Sequence, residues 1–400
     1  MSDTYLKLAI FGAEPLFADV KPTSNLFRPD FAKFLEYSKV FYEHKRYTND
    51  GFLAKHLEER LAAFHGVRHC VVVIGAFWGL VLGLSALAKP GKTEVVLPSL
   101  TYRRMDDIVA WAGLTPHFCD VDPKTLSITA DTVRPCISDR TALILSVHPI
   151  VNCCAASEIE DLGKRLNIPV LFDSVESAYE IYDGRRIGGF GGAEVFSLHA
   201  SKLINGFEGG YITTNDGKLA HQLANTKRFG FEVEDVVSHG MSLNAKLNEM
   251  HAAMSLAALD DIEQQVASNL ERYRAYRELL SDIAGIRLLE YDESERPDYK
   301  NIVVELTDQW LLTRTQTINL LHAENILVRP YYSPPLHHKD VGYPRIVPPL
   351  PATEQACERY LLLPCGAHVQ LSDIADIVTL MRRVSREGCM ISERLARRGL

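Results

Sequence analysis

Short apolar runs alternate with segments of helical periodicity from about residue 53 onwards. Seven runs between residues 70 and 216 have the length and the β-branched or aromatic content of buried strands: CVVVIG, EVVLPSL, TPHFCDV, TALILSV, PVLFDS, AEVFSLH and GGYITTND. Most of the segments between them have helical spacing, and two of these end at a glycine or at Pro-Gly. Continuous apolar strands separated by helices predict an α/β fold, with a parallel or mixed sheet covered on both faces.

The C-terminal part of the chain has a different pattern. Residues 248–283 form a long helical stretch with few breakers, which we expect to lead into a second domain. We therefore divide the chain into a large domain, residues 1–255, and a small C-terminal domain, residues 256–400. The last dozen residues are basic and short of large apolar side chains, and we expect them to fray.

Charge and cysteine usage restrict the class of protein. The net charge of −8 argues against binding to nucleic acid or to an anionic membrane, because both would repel the chain. No early apolar run is long enough to span a bilayer, and the N-terminus lacks the layout of a signal peptide. Eight cysteines without C-x-x-C spacing are typical of reduced thiols. These features predict a cytoplasmic protein with small-molecule partners and no metal centre.

Polar residues follow three of the predicted strands, at the edge where α/β sheets form their sites. Asp173 ends VLFDS, Ser197 and Lys202 follow the next strand, and Tyr102 follows EVVLPSL. An aldehyde cofactor with a pyridine ring needs a lysine to hold it, a carboxylate for its ring nitrogen, donors for its phosphate and an aromatic residue to stack on it. Each residue alone is a weak signal, but their order and spacing together indicate a site for pyridoxal 5'-phosphate (PLP).

The chain resembles the DegT/DnrJ/EryC1/StrS family of sugar aminotransferases over nearly its whole length, from LAIFGAEPLF to LPATEQACERYLLLPCG. SLHASK at 197–202 and EGG at 208–210 fill the family motif Ser-Phe-His-x-x-Lys followed by Glu-Gly-Gly. The resemblance implies fold-type I, the aspartate-aminotransferase-like fold. That fold has a central, mostly parallel seven-stranded sheet flanked by helices and a smaller α+β C-terminal domain.

The resemblance also implies a role for each matching residue. Lys202 would hold PLP as a Schiff base and then move the proton between cofactor and substrate. Asp173 would pair with the ring nitrogen, Tyr102 would stack on the ring, and Ser197 would bind the phosphate. Asn244 would reach the phosphate from a neighbouring subunit, so the resemblance implies a homodimer with shared sites.

The implied reaction is the transfer of an amino group from L-glutamate to a keto-sugar. NAKLNEMHAAMSLAAL and VRPYYSPPLHHKD are most similar to the branch that acts on nucleotide-linked 4-keto-6-deoxyhexoses. Residues of the second segment border the sugar pocket in that branch: Tyr331, Tyr332 and His337. A dehydratase branch has histidine in place of the lysine, so Lys202 favours transamination.

Several positions depart from the family pattern. Ala76 and Phe77 stand where a hydroxyl residue helps to hold the phosphate, although backbone N–H groups at a helix N-terminus can still bind it. Glu176 replaces a histidine or glutamine that touches the cofactor. Arg103 and Arg104 replace small residues.

Two interpretations of these departures stay open at this point. Arg103 or Arg104 meets an anionic group of an unusual substrate, or both are exposed or paired with nearby acids, as most arginines are. The same departures allow two further hypotheses: a PLP enzyme with a changed reaction or a non-sugar substrate, and a non-catalytic, PLP-binding regulatory homologue.

Overall fold

The computed structural model describes residues 7–233, 236–237 and 242–399. In chain order the helices are α1 Phe31–His44, α2 Phe52–His65, α3 Ala76–Leu87, α4 Met105–Trp111, α5 Ala130–Val133, α6 Ala156–Leu166, α7 Gly217–Thr226, α8 Glu249–Asp260, α9 Ile262–Leu280, α10 Arg314–Ala323, α11 Pro351–Arg359 and α12 Leu371–Arg397. The strands are β1 Lys21–Pro22, β2 His69–Val73, β3 Glu94–Pro98, β4 Thr115–Cys119, β5 Thr141–Val147, β6 Val170–Asp173, β7 Ile181–Tyr182, β8 Arg185–Arg186, β9 Ala193–Ser197, β10 Gly210–Thr214, β11 Phe231–Val233, β12 Val236–Val237, β13 Ile286–Leu288, β14 Ile302–Leu306, β15 Ile326–Leu327, β16 Arg329–Pro330 and β17 Tyr360–Leu363.

A seven-stranded sheet forms the centre of the molecule, in the order β2-β10-β9-β6-β5-β3-β4. Only β10 runs against its neighbours, and the pairs among β4, β3, β5, β6 and β9 are parallel. All seven apolar runs of the sequence are strands of this sheet, so the predicted α/β class and the mostly parallel sheet are confirmed. The parallel strands end at one edge, which is where the predicted site residues lie.

Two glycines allow α3 to lie close to this sheet. A Cβ on Gly83 would lie 3.1 Å from Leu171 of β6, and one on Gly79 would lie 3.0 Å from Val195 of β9. Larger residues at these positions would force the helix outwards. The close packing fixes the N-terminus of α3 at the same edge of the sheet as the ends of β6 and β9.

A second sheet is built from the C-terminal part of the chain. It has four strands in the order β13-β14-β17-β16, and every pairing is antiparallel. A separate smaller sheet agrees with the expected smaller α+β unit. The division into residues 1–255 and 256–400 stays a prediction, and residue 255 lies within α8.

The helical prediction for residues 248–283 is correct in type but not in continuity. The backbone breaks at Asp261, where φ is −104° and ψ is 9°, so α8 and α9 are separate helices. The Asp261 carboxylate accepts a hydrogen bond from the backbone N–H of Asp30 at 2.8 Å and pairs with Lys33. Contacts with the N-terminal segment therefore stabilise this break.

The expectation that the last dozen residues fray is wrong. Helix α12 continues to Arg397, and Ile391 and Leu395 are fully buried on its inner face. The guanidinium of Arg394 also lies over the ring of Phe11, 4.2 Å from its centroid. Two well-spaced apolar residues are enough to hold the last turns against the body of the protein.

Candidate active site

The carboxylate of Asp173 is at the end of β6, next to β9 and β5. It is 2% exposed, and its Oδ1 accepts a hydrogen bond from the backbone N–H of Val175 at 3.1 Å. Burial raises the pKa of Asp173 from 3.8 to about 7, although the nearby charge of Lys202 opposes the rise. A carboxylate with so few partners is well placed to receive a cationic group.

Glu176 and Lys202 meet beside Asp173. Nζ of Lys202 contacts Oε1 of Glu176, while Oε2 lies 3.0 Å from Nζ of Lys300. Burial alone would raise the pKa of Glu176, but the two ammonium groups lower it to about 2. Glu176 is therefore a carboxylate throughout the physiological pH range, and it has the two amines as its counter-ions.

Ser197 ends β9, the next strand of the sheet, and its strand partner lies close to the start of α3. It is paired with Gly210 of β10, and Gly210 is paired with Val73 at the end of β2, two residues before the cap of α3. The Ser197 hydroxyl accepts a hydrogen bond from the backbone N–H of His199 at 3.2 Å. Gly209 has a φ of 138°, which L side chains rarely adopt, so the first glycine of the motif is required by its backbone conformation.

The N-terminus of α3 carries the expected phosphate donors. Its cap, Gly75, has no side-chain hydrogen bond to the helix, and the N–H groups of a first helical turn have no partner within the helix. Ala76 and Phe77 occupy this turn. The Phe77 ring lies edge-on against Trp78, with centroids 5.1 Å apart. Phe77, the bulky residue that departs from the family pattern in IGAFWGL, thus packs against its own helix.

Tyr102 and the two arginines lie in the exposed turn between β3 and α4. Tyr102 is 51% exposed, and the buried hydroxyl of Thr101 before it has no hydrogen-bond partner among the residues that the structure describes. Arg104 pairs with Asp107 at 3.0 Å. Arg103 is exposed, and in the described part of the chain its guanidinium forms no ion pair. The pairing interpretation therefore applies to Arg104, and Arg103 is available to a ligand.

The three residues expected to border the sugar pocket differ in their environment. Tyr331 is buried, and its hydroxyl accepts a hydrogen bond from the backbone N–H of Ile150 at 3.0 Å. Tyr332 is half-buried with its ring 5.1 Å from that of Tyr331. Burial raises its pKa, with further contributions from Tyr331, Glu176 and Asp173, and Arg103 opposes the rise. The Tyr332 hydroxyl is therefore within electrostatic reach of Arg103 and of both carboxylates.

His337 is the third of these residues. Its Nδ1 is 2.7 Å from the hydroxyl of Ser99, at the end of β3, and burial lowers its pKa. Together with His338 and Glu354 it forms a group whose potential ligand atoms lie within 4.8 Å of one another. His338 and Glu354 are each more than half exposed, and both histidines already face the Glu354 carboxylate, so we assign no metal to this cluster.

Asn244 is exposed, and its backbone pairs with Arg228. The carbonyl of the next residue, Ala245, accepts a hydrogen bond at 2.8 Å from the backbone N–H of Ile74, just before α3. The segment thus runs beside the start of α3, where the phosphate is expected to bind. The prediction that the Asn244 side chain serves a neighbouring subunit stays a prediction.

Sequence reasoning missed Lys300 and Asp298, which reach the site from the segment before β14. Lys300 Nζ lies 3.1 Å from the Asp298 carboxylate and donates a hydrogen bond to the backbone carbonyl of Glu176 at 2.6 Å. Both side chains are almost fully buried. The sequence offers one signal for this residue, which is a lysine close to the start of an apolar strand.

These residues fit PLP. Lys202 offers a primary amine, and Asp173 offers a buried carboxylate that accepts a backbone hydrogen bond from Val175. The first turn of α3 offers N–H groups that have no partner within the helix and can bind a phosphate. Glu176 stays ionised beside the amine. The arrangement is suited to holding an aldehyde cofactor and to moving protons at one carbon atom.

The chain is similar to known proteins over most of its length. The model of the DegT/DnrJ/EryC1/StrS aminotransferase family matches residues 30–382. The dTDP-4-amino-4,6-dideoxy-D-glucose transaminase of Escherichia coli is 27% identical over 365 residues, which cover 90% of this chain and 97% of that protein. The GDP-perosamine synthase of Caulobacter vibrioides is 28% identical over 286 residues, which cover 69% and 75%.

Solved structures give the same result. DesI, determined in the presence of its TDP-sugar product, is 33% identical and superposes with a TM-score of 0.91, covering 97% of this chain and 98% of that one. Both the sequence and the fold thus match over almost the whole chain. The protein belongs to the DegT/DnrJ/EryC1/StrS aminotransferase family, PLP-dependent enzymes of fold-type I.

Proposed function

We propose that the protein transfers the amino group of L-glutamate to a nucleotide-linked 4-keto-6-deoxyhexose, with Lys202 as the amine that holds PLP. The observation that carries the proposal is the contact of Lys202 with Glu176 beside the buried Asp173, at the carboxyl edge of the sheet. The sugar transaminases among the relatives favour transamination over a changed reaction or a purely regulatory role.

When bound, PLP supplies the aldehyde and the electron-withdrawing ring. The protein then has three tasks. Asp173 holds a proton on the ring nitrogen, because a buried carboxylate stabilises a cation beside it. The Lys202 amine takes a proton from the substrate carbon and returns it, as a general base and acid. Ser197 and the N–H groups at the start of α3 bind the phosphate.

The substrate assignment follows from the names of the relatives and from Arg103. The relatives act on sugars carried by dTDP, GDP or TDP, and each carrier has a diphosphate. Arg103 is exposed near Tyr332 and has the planar, charged head that suits a phosphate. We therefore place the diphosphate at Arg103 and the sugar between Tyr332 and His337, above the Lys202 amine.

The decisive experiment follows the nitrogen atom. Purified protein is incubated with PLP, isotopically labelled L-glutamate and a nucleotide-linked 4-keto-6-deoxyhexose, and the sugar is analysed by mass spectrometry. We expect the label in a new amino group of the sugar, and none with the Lys202→Ala variant. If glutamate loses its label but the sugar gains none, the sugar assignment is wrong. If glutamate keeps its label, the aminotransferase assignment is wrong.

A homodimer with shared sites is part of the proposal. Large apolar side chains are exposed on helices that contact one another, α1, α2 and α8: Phe31, Leu35, Tyr42, Phe52 and Met250. A second copy of the chain would cover this face, as expected of an exposed patch of this kind. Light scattering should give twice the mass of the chain, and a Tyr42→Glu, Phe52→Glu double variant should give the monomer mass.

Mixing two inactive variants tests whether a site is shared. Suppose that Asn244 serves the neighbouring subunit. A dimer of Lys202→Ala and Asn244→Ala chains then contains one intact site, so refolded mixtures regain about a quarter of the wild-type activity. If Asn244 serves its own site, each chain of the mixture is defective and no activity returns.

We also place the protein in the cytoplasm. All eight cysteines are free thiols, and seven of them are buried. Such usage is typical of reducing compartments. None of the helices in the described residues is long and apolar enough to cross a membrane.

A further inference from the structure

We propose that Lys300 is a positioning residue that acts as the permanent counter-ion of Glu176 and thereby lets Lys202 lose its proton. The inference rests on the proposed role of Lys202 as the amine that holds PLP. It concerns a residue that lies almost 100 positions further along the chain, in the segment between β13 and β14 of the C-terminal sheet.

Glu176 is held between two amines. Its Oε1 contacts Nζ of Lys202, and its Oε2 lies 3.0 Å from Nζ of Lys300. Lys300 also donates to the backbone carbonyl of Glu176 at 2.6 Å, so it fixes both the main chain and the side chain of this residue. The amide of Asn301 adds a weak contact to Oε2, at 3.5 Å.

Lys300 itself is firmly anchored. Its side chain is 3% exposed, and its Nζ lies 3.1 Å from the carboxylate of Asp298, which is also buried. The backbone carbonyl of Asp298 in turn accepts a hydrogen bond from the amide of Asn269, on α9, at 3.2 Å. Burial would lower the pKa of Lys300, but the carboxylates of Asp298 and Glu176 raise it above its ordinary value. Lys300 therefore stays charged while Lys202 reacts.

The charge balance explains why a second cation is needed. A lysine can bond to an aldehyde, or take a proton from carbon, only as the neutral amine. When Lys202 gives up its charge, Glu176 would be left as an unpaired buried carboxylate, which is strongly unfavourable. Lys300 removes that penalty because it pairs with the other carboxylate oxygen in every state of Lys202.

The other titratable groups around this pair do not supply such a cation. Glu180 is buried, and burial together with the charge of Asp298 raises its pKa to about 8; as an acid it is not a cation in either protonation state. The remaining neighbours are acids or phenols: Asp173, Asp298, Tyr331 and Tyr332. Arg103 is exposed, and its charge lowers the pKa of Tyr332. Within the described part of the chain, Lys300 is thus the one charged amine besides Lys202 that directly contacts Glu176.

The test is a pH titration of the visible absorbance of the PLP-loaded protein, which requires no turnover and no sugar. In Lys300→Met we expect the midpoint of the colour change to move up by about one pH unit, because Glu176 then retains the proton on Lys202. In Lys300→Arg the positive charge remains, and the midpoint should stay near that of the wild type. In Glu176→Gln the midpoint should move down, since Lys300 alone then acts on Lys202.

A second measurement uses the PLP-free protein. Acetic anhydride labels Lys202, and peptide mass spectrometry measures the rate of labelling as a function of pH. The midpoints of these titrations should rank the wild type and the variants in the same order as the absorbance does. Lys227→Met is the matched control, because Lys227 is also buried and paired, with Asp50 and Glu58 instead of Glu176. This variant should leave both midpoints unchanged.

The outcomes separate this inference from the proposed function. An unchanged midpoint in folded Lys300→Met, or an equal shift in Lys227→Met, overturns the role of Lys300 whatever the enzyme does with sugars. If Lys300→Met does not fold, Glu176→Gln still decides, because an unchanged midpoint there also overturns it. A failure of amine transfer to the sugar, with the midpoints ordered as expected, would overturn only the substrate assignment.

Discussion

Gly210 of β10 lies directly against Ala76, the first residue of α3. A Cβ on Gly210 would be 2.6 Å from the backbone nitrogen of Ala76 and 2.8 Å from the carbonyl oxygen of Phe196. The second glycine of the Glu-Gly-Gly motif therefore lets the sheet approach the N–H groups that we assign to the PLP phosphate. Lys202 is part of the same family motif in the sequence. In the fold, the second glycine of the motif lies against the proposed phosphate site.

Replacement of Gly210 by alanine should weaken PLP binding. The new methyl group meets two backbone atoms, so either α3 or β10 must move, and the donors at the start of α3 move with it. We expect the dissociation constant for PLP to rise by roughly tenfold or more, and the free energy of unfolding to fall by about 1–3 kcal/mol. Fluorescence titration and urea unfolding measure the two effects. Gly342→Ala is the control, because a Cβ there meets nothing within 4 Å.

Asp173→Asn should stabilise the PLP-free protein at alkaline pH while it disables the enzyme. The pKa of Asp173 is raised from 3.8 to about 7, chiefly by burial, so the folded state favours the protonated carboxyl. Its contribution to stability is complete below pH 3.8 and is lost as the pH rises through 7. Asparagine imitates the neutral form and does not titrate.

The variant should therefore match the wild type near pH 4 and exceed it at pH 8, by at most about 4 kcal/mol. Urea unfolding of the PLP-free proteins at both pH values measures this difference. With PLP bound, amine transfer should fall by roughly 10²–10³-fold, because the positive ring nitrogen loses its partner. Equal stability of the two proteins at both pH values would show that the carboxyl is ionised and well solvated.

Arg103→Met and Arg104→Met should differ in their effect on the sugar substrate. Arg103 is exposed and unpaired among the described residues, whereas Arg104 is 3.0 Å from Asp107. Loss of a charge-assisted contact to a diphosphate should raise KM for the nucleotide-linked sugar about 10- to 100-fold in Arg103→Met. The rate of the glutamate half-reaction should not change in either variant. An equal increase in KM for both arginines would mean a general effect of surface charge.

Leu395→Ala should destabilise the protein even though the residue lies in the last turn of α12. The side chain is fully buried on α12, and the loss of a buried leucine usually costs about 2–5 kcal/mol. Thermal unfolding compares it with Arg397→Ala, whose side chain is largely exposed. A fall in Tm of the same size in both variants would indicate that the end of α12 is held by charge and not by packing.

The sequence predicted the central sheet and the core of the site for a simple physical reason. Each buried strand is a short apolar run, and the residues that follow parallel strands meet at one edge. Asp173 and Lys202 could therefore be assigned to one site before their distance was known. The replacement of the family's histidine or glutamine by Glu176 was also visible in the sequence, because this residue has a fixed position after Asp173.

The rest depends on contacts between distant segments. Lys300 is 124 positions from Glu176, and its approach is set by the packing of the segment before β14 against the large sheet. No periodicity in the sequence encodes that distance. The break at Asp261 and the burial of Leu395 likewise depend on contacts with other segments and not on local pattern.

Borohydride trapping of the PLP-loaded protein tests the central claim most directly. Reduction fixes PLP to the lysine that holds it, and peptide mass spectrometry then identifies that lysine. The site contains two amines on either side of Glu176, so the experiment distinguishes them. We predict the label on Lys202 in the wild type and in Lys300→Arg, and none at this site in Lys202→Ala. A label on Lys300, or on a lysine outside the site, would contradict the account.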